Sequence, residues 1–416
     1  MDNIYKIDEK LINMATVVEQ EIQPYFNKAE QICLSCSAKV LKAFQDNKVS
    51  TNDFGEITGY GFTDDGRDKL ERIYAQIFRA EDALVRPQIM SGTHALSLTF
   101  FGLLKHGDTM ISISGEPYDS LRSLIGIEGN SRNSLIKHGI KYEEIDLINN
   151  DFDIPTIQKR LSRQDVRLVE IQRSRGYSLR SSLSIDKIEK VCQAIRQVNK
   201  DVIIMVDNCY GDLVEEREPI EVGANIIVGS LMKNLGGGIA KTGGYIVGDK
   251  LLIEDIAEHF SAPCIGKNLG ANLNQNLNFY KGLYLAPNVV KNSVKTMIFA
   301  SAMLEKLGYT VDPKSNDERT DIIQTITLET PDNLVNFCKG IQKGSPVDSF
   351  VTPIPAPMDG YADEEVMAGG SFISGSTIEL SCDGPMRKPY IGYMQGGLTY
   401  EYGKLGILIA LNEIIK

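Results

Sequence analysis

The chain has only four histidines (His94, His106, His138 and His259), and none of them stands at the spacing of a metal-binding pair. Metal catalysis is therefore set aside. Seven cysteines in 416 residues do not make a disulfide framework. The single close pair, Cys33-x-x-Cys36, falls in a helical pattern rather than at a strand end, which argues against a redox or metal role. Positive charge is also short. The net charge is −11 and the pI about 5.1, which disfavours a nucleic-acid or anionic-membrane surface. No apolar run approaches the ~20 residues of a membrane span. The charged, amphipathic N-terminus lacks the apolar core of an export signal, so a cytoplasmic location is expected. Internal repeats and low-complexity segments are missing as well.

What is present supports a large core: 42% of residues are hydrophobic, and the length predicts two or three domains. Residues 1–55 read as an N-terminal helical arm, with Ile4, Ile7, Leu11, Met14 and Val18 on one face. From residue 56 to 286, strand-like runs alternate with helical ones. The strands are Ala83–Val85, Thr109–Ile113, Lys141–Ile145, Val166–Ile171, Val202–Val206 and Ile226–Val228; helices are predicted over Asp68–Phe78, Ala95–Leu104, Pro155–Arg163 and Ser184–Asn199. That alternation predicts an α/β fold with a mainly parallel sheet covered on both faces. Residues 287–416 read as a smaller α+β C-terminal domain, with a long helix Asn288–Leu307, strands Asp321–Leu328 and Ser376–Ser381, a helix Pro331–Gln342 and a final helix Lys404–Ile415.

The most unusual stretch is Ile226–Gly248, IIVGSLMKNLGGGIAKTGGYIVG. A buried strand ends at Gly229-Ser230, Lys233 follows, and a glycine-rich loop leads to a second strand. Three readings compete. A P-loop would need glycines where Ala240 and Leu235 stand, and a helix where a strand follows. A serine acyl-enzyme would use Ser230-x-x-Lys233 and Lys241-Thr242-Gly243, but its two motifs should lie far apart and its serine should open a helix. The third reading is a Schiff-base lysine for pyridoxal phosphate (PLP), with Ser230 on the phosphate.

In open parallel sheets the site lies at the carboxyl ends of the strands. That edge is predicted to collect Ser91-Gly92-Thr93 at the start of a buried helix, Tyr118, Arg173 and Arg175, Asp207, and Ser230 with Lys233. PLP needs a lysine, a carboxylate for its pyridinium nitrogen, donors for its phosphate and an aromatic face over its ring. Lys233, Asp207, the Ser91–Thr93 turn with Ser230, and Tyr118 supply these in turn. A helix N-terminus is suited to an anion. Gly59-x-Gly61 has no third glycine at the dinucleotide spacing, and a Rossmann reading fails.

The ordered runs SGTHA, PYDS, DNCYG, GSLMKNLGGGIAKTGGYI, GGSFISGSTIELSCDGPMR and YMQGGLTYEYGKLG resemble the methionine γ-lyase-like, aluminium-resistance branch of the fold-type I PLP enzymes, relatives of cystathionine lyases. The resemblance runs from about residue 55 to residue 410. It implies the PLP-dependent transferase fold with a seven-stranded large-domain sheet. It implies Lys233 as the covalent anchor, Asp207 as pyridinium partner, Tyr118 as stacking ring, and Ser91, Gly92, Thr93 and Ser230 as the phosphate cup. It further implies Arg387 as the clamp on the substrate carboxylate, with Arg175 as second candidate. Tyr60 would be lent by a neighbouring subunit, which makes the protein a homo-oligomer, a dimer or tetramer, with sites at the subunit interface. Two departures stand out. The related Tyr-x-Arg pair is replaced by Tyr60-Gly61-Phe62, with Arg67 the nearest arginine, and His94 replaces a small residue in the serine turn. The expected activity is a PLP-dependent carbon–sulfur lyase of the methionine γ-lyase or cystathionine β-lyase type, acting on a sulfur-containing amino acid. A PLP aminotransferase or aldolase, or a PLP-fold resistance protein with little turnover, are the alternatives.

Overall fold

A computed structural model describes residues 3–60, 64–358, 361 and 363–415. Gly61 and Phe62, on which the glycine and Tyr-x-Arg readings bear, lie outside the described residues. The chain forms two compact units, one made of Met1–Ser35 with Leu285–Lys416, the other of Cys36–Tyr284.

Helices α1 (Glu9–Glu21) and α2 (Gln23–Asp46) open the chain. Helix α3 (Asp65–Phe78) begins three residues before the apolar pattern indicates, because the Asp64 carboxylate accepts from the Arg67 N–H at 2.9 Å and caps it. Then come β1 (Asp82–Arg86), α4 (Gly92–Leu103), β2 (Thr109–Ser112), α5 (Asp119–Ile125), β3 (Lys141–Glu144), α6 (Ile154–Leu161), β4 (Leu168–Gln172) and α7 (Ile185–Val198). The order continues with β5 (Ile203–Asp207), β6 (Ile226–Ser230), β7 (Gly244–Gly248) and α8 (Lys250–Phe260).

Strands β1 to β7 form one sheet in the order β1-β7-β6-β5-β4-β2-β3. Pairs from β3 through to β6 are parallel, and β7 alone runs against its neighbours β6 and β1. Every residue of β4 to β7 is buried, as expected of a sheet covered on both faces. One face presents Leu168, Ile203, Met205, Ile226, Val228 and Ile246 to α4 and α8, where they join Leu96, Phe100, Ile253 and Ile256 in a continuous core. The α/β fold with a mostly parallel sheet is thus present.

The remaining elements are α9 (Asn276–Lys306), β8 (Thr310–Asp312), β9 (Ile323–Thr327), α10 (Pro331–Lys343), β10 (Glu365–Ala368), β11 (Ser381–Pro385), β12 (Ile391–Gln395) and α11 (Tyr400–Ile414). Two expectations are corrected here. Helix α9 starts at Asn276, and Pro287 lies inside it. Proline removes one ladder bond, but Phe279, Tyr280, Leu283 and Ala286 before it and Val289 and Val290 after it are all buried, and their packing carries the helix through. The strand expected over Ser376–Ser381 begins only at Ser381. Upstream, the Glu379 carboxylate accepts from the Phe372 and Ile373 N–H groups at 2.9 and 3.1 Å, and the Ile378 carbonyl accepts from Gly397 at 2.8 Å. These bonds fold the segment into a loop instead of a ladder. Strands β8 to β12 make an antiparallel sheet in the order β10-β11-β12-β9-β8. Among the described residues, no helix is long and apolar enough to cross a membrane.

Candidate active site

Side chains alternate along a strand, so the rows that feed the α4 face can be followed to the strand ends. Ile203 and Met205 lead to Asp207, Ile226 and Val228 to Ser230, and Leu168 to Glu170 and Gln172. Asp207 pairs across to both Gln172 and Val228, so these ends lie side by side. Asp207 and Ser230 are only 4% and 3% exposed.

Above them stands the N-terminus of α4. Ser91 caps it, its hydroxyl accepting from the His94 N–H at 3.1 Å. The first turn of a helix leaves N–H groups without intrahelical acceptors. Gly92 comes so close to the strand ends that a Cβ there would lie 3.2 Å from Cys209 Sγ and 3.6 Å from Ser230 Cβ. The serine turn and Ser230 are therefore neighbours although well over a hundred residues separate them. Next in the helix, Thr93 Oγ1 is 2.8 Å from the Tyr118 hydroxyl and 3.2 Å from Ser120 Oγ. The Tyr118 N–H donates to Gln172 Oε1 at 2.9 Å, which ties the start of α5 to the end of β4. Burial, reinforced by the negative charge of Asp207, holds the Tyr118 phenol protonated well above the ordinary tyrosine range.

His94 turns back on its own loop. Its Nδ1 accepts from the Met90 N–H at 3.2 Å, so that nitrogen carries no proton, and burial lowers the pKa of the ring. The ring is neutral near pH 7 and secures the serine turn.

Lys233 follows β6 at the start of a short 3-10 turn, Asn234–Gly236. Its Nζ lies 3.8 Å from the centroid of the Tyr210 ring. Burial opposes the ammonium charge, while the surrounding Cys209, Tyr210, Asp207 and Tyr118 favour it, and the balance raises the amine above the ordinary lysine range. The Asp207 carboxylate accepts from the Cys209 N–H at 3.1 Å, which orients it.

Behind this floor runs a buried polar network that the sequence did not disclose. Asn234 Nδ2 donates to the carbonyls of Tyr210 and Asp212 at 3.0 and 2.8 Å. Asn208 donates to Asp212 and Glu218 at 2.9 and 3.0 Å and accepts from Arg173 at 2.7 Å. Arg173 also pairs with Glu215 at 2.6 Å. The Tyr245 hydroxyl, from β7, donates to Asp212. Burial first, then the charge of Glu218, pushes the Asp212 carboxyl up to about 8, and it is a neutral acid at pH 7. Glu170, in the Gln172 row, is pushed up to about 7 by burial, with Ser112 opposing.

Of the other sequence candidates, Arg175 is 2% exposed and its carbonyl accepts from Ser178. Its loop packs on Tyr118, since a Cβ at Gly176 would lie 3.0 Å from Tyr118 Cβ. Arg387 belongs to the other unit, where it pairs with Asp363 at 2.9 Å on the surface. Tyr60 is 85% exposed, and its backbone bridges to Leu269. Lys241 and Thr242 take part in the turn before β7, with the Thr242 hydroxyl donating to the Pro87 carbonyl at 3.3 Å. Sequence reasoning missed Tyr210, Asn234 and Gln172. Tyr210 had a signal, since it stands three residues past Asp207 in the same loop. Asn234 and Gln172 had none that spacing could reveal.

Comparison with known proteins follows the same lines. The family model for methionine gamma-lyase matches residues 11–415. The YnbB protein of Bacillus subtilis (strain 168) is 43% identical over 410 residues, covering 98% of this chain and 97% of that protein. A solved structure of a Clostridium acetobutylicum protein involved in aluminum resistance superposes with a TM-score of 0.96 at 44% identity, covering 100% of this chain and 97% of that one. The structure of a carbon-sulfur lyase involved in aluminum resistance from Clostridium novyi NT gives a TM-score of 0.94 at 43% identity, covering 99% and 97%.

Proposed function

The chain belongs to the methionine gamma-lyase family of PLP-dependent carbon–sulfur lyases, and from that premise we propose that it eliminates a thiol from the β- or γ-carbon of a sulfur-containing amino acid, using Lys233 as its reactive amine. The observation that carries the reading is the cradle at Gly92. A single methyl group there would close the space between the α4 N-terminus, Ser230 and Cys209. The residues around that cradle fit PLP. Ser91, Gly92 and Thr93, with the positive end of α4 and the Ser230 hydroxyl, are donors for the phosphate. Asp207 is a buried carboxylate that would hold the pyridinium nitrogen, and Tyr118 would cover the cofactor with its ring. When bound, PLP supplies the electron sink that lets an amino acid lose its Cα proton.

The protein's own residues do the rest. Lys233 gives its amine to anchor the cofactor and, once released, takes the Cα proton on Nζ. Asp207 would bond the ring nitrogen, and Gln172 fixes Tyr118 through the backbone. The substrate carboxylate goes to Arg387 or Arg175 by a bidentate pair. Tyr60, exposed on one subunit, completes the site of its neighbour in a cytoplasmic homo-oligomer.

Lys233→Ala is the decisive variant. With a panel of cysteine, cystathionine and methionine, the wild type should release thiol, ammonia and keto acid, and the variant none. The variant should also lack the visible absorbance of lysine-bound PLP. Retained absorbance and turnover would overturn the assignment. Arg387→Ala and Arg175→Ala then identify the clamp, as the variant whose KM rises about tenfold or more.

A further inference from the structure

We propose that Tyr210 is a positioning residue for Lys233: its ring face stabilises the protonated Nζ and holds the amine in place within the site. The inference rests on the reading of Lys233 as the reactive amine, and it adds a residue which that reading does not require.

The geometry is specific. The Lys233 Nζ lies 3.8 Å from the Tyr210 ring centroid, within the range where a ring quadrupole attracts a cation. Tyr210 holds a left-handed backbone, with φ of 69°. That conformation is uncommon and strained for a bulky residue, so the surroundings must impose it. They do so from two sides. Asn234, the residue directly after Lys233, donates to the carbonyls of both Tyr210 and Asp212. On the other side, Gly211 lies so close to the Arg173 guanidinium that a Cβ there would come within 2.6 Å of it. Arg173 in turn holds Asn208 at 2.7 Å. The segment that carries the ring is thereby tied to the segment that carries the amine.

The groups that face the amine come from two elements: Asp207 and Cys209 with Tyr210 from the end of β5, and Tyr118 from the start of α5. Cys209 and Tyr118 are neutral near pH 7, both held protonated by burial and by Asp207. Asp207 is the formal charge, and the Tyr210 ring is the uncharged surface in direct contact. A ring in that place favours the amine after it has taken up a proton, without adding a second anion to compete with Asp207 for the cofactor nitrogen. The contribution belongs to the aromatic face, so the hydroxyl is dispensable.

The test uses the full-length protein stripped of cofactor, and follows the rate of PLP uptake against pH by the visible absorbance of lysine-bound PLP. Only unprotonated Lys233 can react. Tyr210→Phe should keep the wild-type profile, and Tyr210→Leu should displace it to lower pH by about one unit. Tyr210→Met, unbranched and without a ring, should match Tyr210→Leu and decides the matter if the leucine variant does not fold by circular dichroism. An unmoved profile in the ringless variants overturns the proposal. So does an equal displacement in Tyr210→Phe, which would transfer the effect to the hydroxyl. Uptake with the same absorbance by Lys233→Ala would instead overturn the assignment of Lys233, a separate result read from a separate protein.

Discussion

The two sheets of this protein handle buried polar residues in opposite ways. In the seven-stranded sheet, β2, β4, β5 and β6 run in one direction, so each delivers its last residues to the same edge. Gln172, Asp207 and Ser230 arrive there from three strands and meet the α4 N-terminus. In the five-stranded sheet every neighbouring pair is antiparallel, and successive strand ends point opposite ways. Its inner polar residues satisfy one another: Gln395 donates to Ser381 at 2.9 Å and to Asp383 at 3.3 Å. A parallel sheet turns distance in sequence into proximity at one edge, and leaves groups there with bonding capacity for a ligand. An antiparallel sheet sends successive strand ends to opposite edges, and here Gln395, Ser381 and Asp383 close on one another.

The contrast can be broken at several points. Asp207→Ala should have the largest effect, lowering turnover by about a thousandfold, because it removes the carboxylate in which β5 ends. Steady-state assay of thiol release checks it, and a loss below tenfold would remove Asp207 from the site. Gly92→Ala fills the cradle, and PLP affinity should fall about tenfold, the equivalent of overpacking by about 1–2 kcal/mol. Titration of the stripped protein with PLP reads this directly; unchanged affinity would mean that the cradle is not the binding surface.

Asp212→Asn probes the network behind the site. The folded carboxyl titrates at about 8, whereas an unfolded aspartate titrates at about 3.9. Between those values the unfolded chain binds fewer protons than the native one. Stability contributed by the neutral acid is complete below the lower value and is lost as pH rises toward 8. The variant keeps the acceptor for Tyr245 and Asn208 but cannot ionise. Urea unfolding from pH 5 to 8 should therefore show a slope shallower than wild type by about 1.4 kcal/mol per pH unit. Parallel slopes would mean that Asp212 is ionised in the native state. The smallest effect belongs to the second sheet. Burial pushes Asp383 up to about 6, with Gln395 opposing. Asp383→Asn should remove a slope of the same sign confined to about pH 4–6, and leave turnover within about twofold.

Much of the candidate site was legible because its residues stand next to punctuation. Asp207 ends an unbroken hydrophobic run, Lys233 follows a strand terminated by Gly229-Ser230, and Ser91-Gly92 opens an apolar helix. Each of these is a local pattern, and the parallel topology that unites them follows from the alternation of strands and helices. The weaker readings failed where tertiary contacts overrode local ones. Pro287 looked like a boundary and lies inside α9. Ser376–Ser381 looked like a strand, but Glu379 and Gly397 draw the segment before Ser381 into a loop. Asn234 is legible only as the residue after Lys233; its two acceptors are carbonyls more than twenty residues away, and a carbonyl leaves no mark on a sequence.

By itself, then, the chain determined the order of the candidate groups and the parallel sheet that carries them, because periodicity and strand-end chemistry are local properties. The tertiary structure alone decided how those groups are tuned. It set the Tyr210 ring over the Lys233 amine, it bonded the Tyr245 hydroxyl to the buried Asp212, and it brought Gly92 against Cys209. Burial and close approach are properties of the packed interior, where removal of water makes each neighbour count, and no residue carries them before the chain has folded.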